Sequence, residues 1–341
     1  MVQAMNEIHI LGVETSCDET AAAVIGHDSK ILSSVVLSQD KIHAPFGGVV
    51  PELASRQHIM SIGYVVEEAM RRAGLCLEEI SCFAVTQGPG LIGSLLVGIS
   101  FMKSLAYYFK KPLISIDHLE AHIQSAFINN NIPFPALALV VSGGHTSIFI
   151  MKKKLSYNLI GKTKDDAAGE ALDKIAKFLD LGYPGGPVIE RLAEKGNPDR
   201  FEFSIPYMRD KSLDYSFSGL KTAALQEIKK LHIKKDESSK FYDFIASFEK
   251  GVMQALYSNL IKAIEITKPE SLILCGGVAR NKKLRKGFRE IAEEEDLGCF
   301  IPSPEFCTDN AVMVAFLALE KYKTNKIKSF PLDLNAYSRR R

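Results

Sequence analysis

The chain has 341 residues, more than one ordinary core needs, and at roughly 150 residues per domain it is expected to form two. Hydrophobic residues make up 46% and charged residues 24%, which excludes a disordered chain and fits a globular enzyme. Lys and Arg (42) nearly balance Asp and Glu (40), so the net charge of +2 neither requires nor excludes nucleic acid, whose binding face can be local. No run approaches the ~18 uncharged apolar residues of a membrane span, and the first residues lack the basic-then-apolar pattern of a secretory signal. The six cysteines have no CxxC spacing. That disfavours a zinc ribbon or redox pair and places the chain in a reducing cytoplasm, away from membranes.

His9–Val13 reads as a short apolar strand, Glu14–Thr20 as a small polar tip and Ala21–Ile25 as the returning strand. Pro51 suits the first position of a helix, which Ile59, Ile62, Val66, Ala69 and Met70 extend to about Ala73. Ser81–Thr86 is a strand, followed by the turn Gln87-Gly-Pro-Gly90 and an apolar helix from Leu91 to Phe109. Ala136–Val141, Ser142–Thr146 and Ser147–Ile150 repeat the first hairpin, and the repetition predicts two similar lobes facing each other across a cleft. Lys164–Lys174 is an acidic segment leading into a helix, and a third glycine-rich turn, Tyr183-Pro-Gly-Gly-Pro187, comes after it. Lys229–Lys240 reads as a solvated loop or helix end. Glu270–Cys275 is a strand closed by Gly276-Gly277 and followed by a basic helix to about Glu294. Hairpins, strand-to-helix turns and helices together make the chain α/β.

Glycine turns that close a strand and open a helix let a backbone approach a phosphate, and both hairpin tips can present N–H groups to an anion. With no GxxxxGK[ST] and no GxGxxG in the chain, nucleotide binding without Walker chemistry is the expectation. Asp117-His-Leu-Glu-Ala-His122 puts His118 and His122 about 40° apart around a helix, on one face, where both rings can share a metal. Glu120 lies about 200° around from His118, badly placed for the general base of an HExxH protease. A carboxylate must complete the shell, and spacing leaves Asp309, Asp165 and Asp166 open. His145 is a ligand, a phosphate contact or a structural residue. No GxSxG occurs and Cys17 has no adjacent activator, so the chemistry rests on metal and backbone rather than on a covalent nucleophile. The basic clusters Lys152–Lys154, Lys229-Lys230 with Lys234-Lys235, Arg280–Arg289 and Arg339–Arg341 read as solvated faces unless several share one side.

Taken in order, Gly12–Thr20, Phe46–Arg56, Gln87–Gly90, His118–His122, Val141–Thr146, Asp165–Glu170, Tyr183–Gly186, Phe217–Lys221 and Gly276–Asn281 resemble the tRNA N6-adenosine threonylcarbamoyltransferase family, once called glycoproteases or O-sialoglycoprotein endopeptidases. The resemblance implies a two-lobed actin-like/sugar-kinase-like α/β ATPase fold with a duplicated mixed sheet and flanking helices. It implies an N-terminal lobe over 1–117, to which 322–341 returns, and a C-terminal lobe over 118–321 with the metal and nucleotide sites. The activity implied is transfer of a threonylcarbamoyl group from threonylcarbamoyl-AMP to N6 of the adenosine 3′ to the anticodon, in tRNAs reading codons that begin with A. By the same resemblance, His118, His122 and Asp309 bind one divalent metal ion per chain, iron or zinc. Val140, Val141, Ser142, Gly143 and Gly144, with Asp173, Gly186 and Asn281, hold the adenylate, and Glu14 is an acidic group near the reaction centre, a base or an orienting residue. The implied partners are tRNA, a paralogous subunit and a small ATPase. The competing readings are an ATP-dependent small-molecule kinase on the same fold, a metalloprotease weakened by the position of Glu120, and an actin-like scaffold using the helices at 51–73 and 91–109 as an interface.

Overall fold

The computed structural model describes residues 8–203, 212–236, 238–324 and 334–338. In chain order these form β1 (His9–Glu14), β2 (Glu19–Gly26), β3 (Ile31–Ser38), α1 (Asp40–His43), α2 (Pro51–Ala73), β4 (Cys82–Gly88), α3 (Ile92–Phe109), β5 (Leu113–Asp117) and α4 (His118–Ser125). Then follow β6 (Ala136–Val141), β7 (Thr146–Met151), β8 (Asn158–Lys162), α5 (Ala168–Phe178), α6 (Gly185–Ala193), α7 (Ser218–Leu231) and α8 (Ser239–Thr267). The last are β9 (Ser271–Cys275), α9 (Lys282–Glu294), β10 (Gly298–Phe300), α10 (Pro304–Cys307) and α11 (Ala311–Lys323). The basic cluster Arg339–Arg341 lies outside the described residues.

The first unit holds the sheet β3-β2-β1-β4-β5. Its hairpin strands pair antiparallel, whereas β4 and β5 continue from β1 in parallel, each delivered by a helix. Alternation divides the two faces of this buried sheet. Leu11, Val13, Ala22, Val24, Phe83 and Val85 form one core with Ile62, Val65 and Val66 of α2 and Leu95, Ile99 and Met102 of α3. Gly12 faces the opposite way, and a Cβ added there would lie 2.7 Å from the Ala315 nitrogen of α11. The absent side chain is what lets α11 lie directly on β1. Helix α2 starts at Pro51 and ends at Gly74, whose φ of 68° supplies the left-handed cap.

The second unit repeats the plan. Read from the hairpin edge, its sheet is β8-β7-β6-β9-β10, with antiparallel pairs followed by parallel ones, the same order and sense as in the first unit. Its core joins Leu137, Leu139 and Val141 of β6 to Ile175 of α5, Phe244 and Phe248 of α8 and Phe288 of α9. The repeated hairpins of the sequence are thus the leading halves of a duplicated mixed sheet.

Two expectations change. The division at 117/118 gives way to a unit of residues 1–42, 49–128 and 309–341 and another of 43–48 and 129–308. The physical reason is that α4 follows β5 without a linker and packs on α11, which itself packs on β1 and β2. The residues expected to bind metal, His118, His122 and Asp309, therefore sit in the first unit, not in a C-terminal lobe. Secondly, α3 is long and apolar enough to cross a membrane, 18 residues with a mean hydropathy of 1.3. It carries Lys103, and its Leu95, Ile99, Met102 and Ala106 pack into the α/β core of the first unit.

The contact of Gly12 with α11 generates a stability prediction. Gly12→Ala should force β1 and α11 apart and cost about 1–3 kcal/mol in urea denaturation; unchanged stability would show that the helix does not depend on this approach.

Candidate functional site

In the first unit the candidate side chains stand at the carboxyl ends of the parallel strands. Glu14 ends β1, Thr86 lies near the end of β4, and Asp117 ends β5. Asp117 also caps α4, its Oδ1 accepting from the N–H groups of Leu119 and Glu120 at 3.0 Å each. This fixes the first helical turn and projects His118 and His122 from one face, ring centroids 4.6 Å apart. Asn310 caps α11 by accepting from the Met313 N–H, so Asp309 is held immediately before an anchored helix.

The three side chains converge. His122 Nε2 lies 3.0 Å and His118 Nε2 3.6 Å from the same oxygen, Oδ1 of Asp309. Ligands 2.0–2.1 Å from a common ion stand about 2.8–3.0 Å apart in an octahedral shell and about 3.3–3.4 Å apart in a tetrahedral one. The His122 separation falls in this span and the His118 separation is slightly wider, and two imidazoles with one carboxylate are a fitting donor set for a first-row divalent metal. His122 Nδ1 is buried with no hydrogen-bond partner among the described residues. The ring is thus oriented from its Nε2 side.

Behind His118 stands Glu14, fully buried. Its Oε2 accepts from the Thr86 hydroxyl at 2.6 Å and lies 3.3 Å from His118 Nδ1, while Oε1 accepts from the Ser16 N–H. Ser16 Oγ is 3.2 Å from the same imidazole nitrogen. Charge coupling is strong in so dry a place. Burial opposes protonation of His118, yet the Asp309 and Glu14 carboxylates push it up to about 9. Burial alone would raise Glu14, but His118 and Thr86 hold it below the ordinary carboxylate range. Burial pushes His122 down, towards the neutral form whose lone pair can bind a metal. The cluster carries two carboxylates and needs positive charge beside them. Burial also pushes the Cys17 thiol up, with Asp18 adding to it, which agrees with the absence of a nucleophilic role.

The predicted adenylate residues all lie in the second unit, around the carboxyl ends of β6 and β9. At the hairpin tip the Ser142 N–H donates to the His145 carbonyl, and Ser142 Oγ accepts from the His145 N–H. Gly143 and Gly144 are exposed, a Cβ added to either would meet nothing within 4 Å, and neither N–H has a hydrogen-bond partner among the described residues. The tip rests on α5, where a Cβ on Gly169 would stand 2.6 Å from the Ser142 carbonyl oxygen. On α5, Asp173 accepts from the Gly185 and Gly186 N–H groups at 2.7 and 3.3 Å and so fastens the start of α6. Gly276, at φ 94°, sits against the Val141 carbonyl, where a Cβ would approach to 2.4 Å. Asn281 caps α9 through the Leu284 N–H and donates to the buried Glu249 at 2.8 Å.

Some sequence candidates are placed elsewhere. Asp165 accepts from the Phe217 and Ser218 N–H groups at the start of α7, and Asp166 pairs with Lys174 and Lys221, so neither joins the imidazoles. His145 belongs to the hairpin tip. Sequence reasoning missed Thr86 and Ser16, which carry no recognisable pattern. It also passed over Asp117 as a cap, although an aspartate before a helical run is a readable signal.

Comparison with known proteins identifies relatives of the whole chain. A family model described as tRNA N6-adenosine threonylcarbamoyltransferase matches residues 30–316. A protein of that name from Clostridium perfringens is 45% identical over 330 residues, covering 96% of this chain and 97% of its own. Another from Syntrophus aciditrophicus is 46% identical, covering 97% and 96%. Among solved structures, full-length HypF in a phosphate- and nucleotide-bound form superposes with a TM-score of 0.62 at 14% identity, over 94% of this chain and 56% of that one. A ROK hexokinase from Thermus thermophilus gives 0.50 at 16%, over 93% and 100%. These likenesses fix the fold as actin-like and sugar-kinase-like.

The Asp166 ion pairs yield a pH prediction. Burial opposes ionisation, but Lys174 and Lys221 hold the carboxyl below its ordinary 3.8. Their contribution to stability is therefore fully present above the unfolded pKa and lost as pH falls through the lower folded value. Asp166→Asn should flatten the acid limb of the stability–pH curve below about pH 4; an unchanged acid limb would contradict the pairing.

Proposed function

The chain belongs to the tRNA N6-adenosine threonylcarbamoyltransferase family, and from that premise we propose that its reaction is metal-dependent and draws on threonylcarbamoyl-AMP. The enzyme transfers a threonylcarbamoyl group to N6 of an adenosine in tRNA. The acceptor in this proposal is the adenosine 3′ to the anticodon in tRNAs reading codons that begin with A, and the setting is the cytoplasm. A paralogous subunit and a small ATPase complete the system.

The reading rests above all on one observation, the convergence of two imidazole nitrogens and a carboxylate oxygen on one small space. His118, His122 and Asp309 would hold a single iron or zinc ion, which supplies Lewis acidity and a fixed positive charge when bound. Glu14, with both oxygens engaged, acts as an orienting group and not as a free base. In the second unit, the Gly143 and Gly144 N–H groups would donate to the phosphate of the donor, with Val140, Val141 and Ser142 shaping the tip. Asp173, Gly186 and Asn281 frame that cradle by fixing the starts of α6 and α9.

The chemistry asks for little more. The adenosine amine is a weak nucleophile because its lone pair is delocalised into the ring, while AMP is a good leaving group. The N6–carbon bond forms, the carbon–oxygen bond to phosphate breaks, AMP departs with the electron pair, and a proton leaves N6. Orientation of the two substrates and hydrogen bonds to the departing phosphate supply the larger part of the acceleration. A small-molecule kinase on this fold would leave His118, His122 and Asp309 without a task.

Two variants separate the parts of the proposal. His118→Ala should leave tRNA unmodified when incubated with fresh threonylcarbamoyl-AMP and the partner proteins, as read by mass analysis of nucleosides. Wild-type levels of product would refute the metal assignment. Gly144 is exposed and the Cβ added by Gly144→Val meets nothing within 4 Å, so stability should stay within about 0.5 kcal/mol of wild type. Its KM for the donor should rise at least tenfold; an unaltered KM would place the phosphate elsewhere.

A further inference from the structure

The described C-terminal residues 334–338 lie across the strand ends that carry the imidazole helix. Leu334 is buried in the core of the first unit, and its carbonyl accepts from Lys103 Nζ of α3 at 3.2 Å. Gln87, in β4, donates its amide to the Asn335 carbonyl at 2.7 Å, and its own carbonyl accepts from the Tyr337 N–H at 3.3 Å. Tyr337 then lies on Gly88, where an added Cβ would come within 2.3 Å of the Tyr337 carbonyl and 2.9 Å of its ring. From that position the phenol donates to Asp117 Oδ2 at 2.6 Å.

Asp117 is thereby held from both sides. One oxygen takes the two first-turn N–H groups of α4, and the other is tied to the phenol. A capping carboxylate free to rotate would let the first turn fray, and His118 is the residue immediately after the cap. We propose that segment 334–338 is a strap and that Tyr337 is a positioning residue for the metal centre. It acts through Asp117 to hold α4 at the angle at which His118 and His122 meet Asp309. Strain-free preorganisation of ligands by such outer hydrogen bonds sets metal affinity. The inference rests on the metal reading above and adds a part of the chain far away in sequence.

The test uses the full chain, stripped of metal, with zinc as the probe and a chromophoric chelator as competitor. Tyr337→Phe should bind zinc about threefold to tenfold more weakly. Asp117→Ser keeps a capping oxygen but removes the one that meets the phenol, and in that background Tyr337→Phe should have no further effect. Amide exchange at Leu119 and Glu120 in the metal-free protein should quicken in Tyr337→Phe. Zinc affinity equal to wild type, or effects of the two substitutions that simply add, would overturn the inference. Should the wild-type chain bind no zinc, the metal reading itself fails and the positioning of a metal centre falls with it. Faster exchange would then identify only a structural strap, and unchanged exchange would remove that too.

Discussion

Everything at the site depends on α11 lying flat on β1. The chain can bring Asp309 to the imidazoles of α4 only if the helix that starts at Ala311 reaches the same face of the sheet. Gly12 allows the approach, Asn310 fixes where the helix starts, and the side chains from Ala311 to Glu320 are buried. A residue late in the chain thus becomes the near neighbour of a helix from its first half. The hydrophobic burial of α11 supplies the stabilisation, and the polar cluster is carried at its end.

The duplicated sheet explains why chemistry gathers where it does. In each unit the first of the parallel strands returns as a hairpin, and the others lead on into helices at their carboxyl ends. The first unit ends its strands in polar side chains: Glu14 closes β1, Thr86 lies near the end of β4 and Asp117 closes β5. In the second, β6 is followed by the exposed Gly143 and Gly144, and β9 by Gly276, which packs against the Val141 carbonyl. One topology yields a cluster of donors for a cation and an exposed backbone suited to an anion.

Legibility in the sequence followed the range of the interaction. Hairpins, the helix from Pro51 and the glycine turns are local patterns, and the structure contains them where they were read. The His118–His122 pair was visible because helical spacing alone places two rings on one face. The carboxylate proposed to join them was not. Asp165, Asp166 and Asp309 look alike in a string, and only tertiary packing assigns the first two to α7 and to lysines. Resemblance to a family, not spacing, singled out Asp309. The division expected at 117/118 failed for a related reason, since a strand that runs straight into a helix carries no sign of which unit the helix joins. Thr86 and Tyr337 are ordinary residues whose role comes from the neighbours that folding gives them.

The reading as a metal centre is tested most directly by X-ray absorption at the edge of the ion bound to the purified chain. Two imidazole nitrogens and carboxylate oxygen, in a shell without sulfur, are the ligands that His118, His122 and Asp309 supply. A spectrum dominated by thiolate sulfur, or one lacking the outer-shell signature of imidazole, would contradict it.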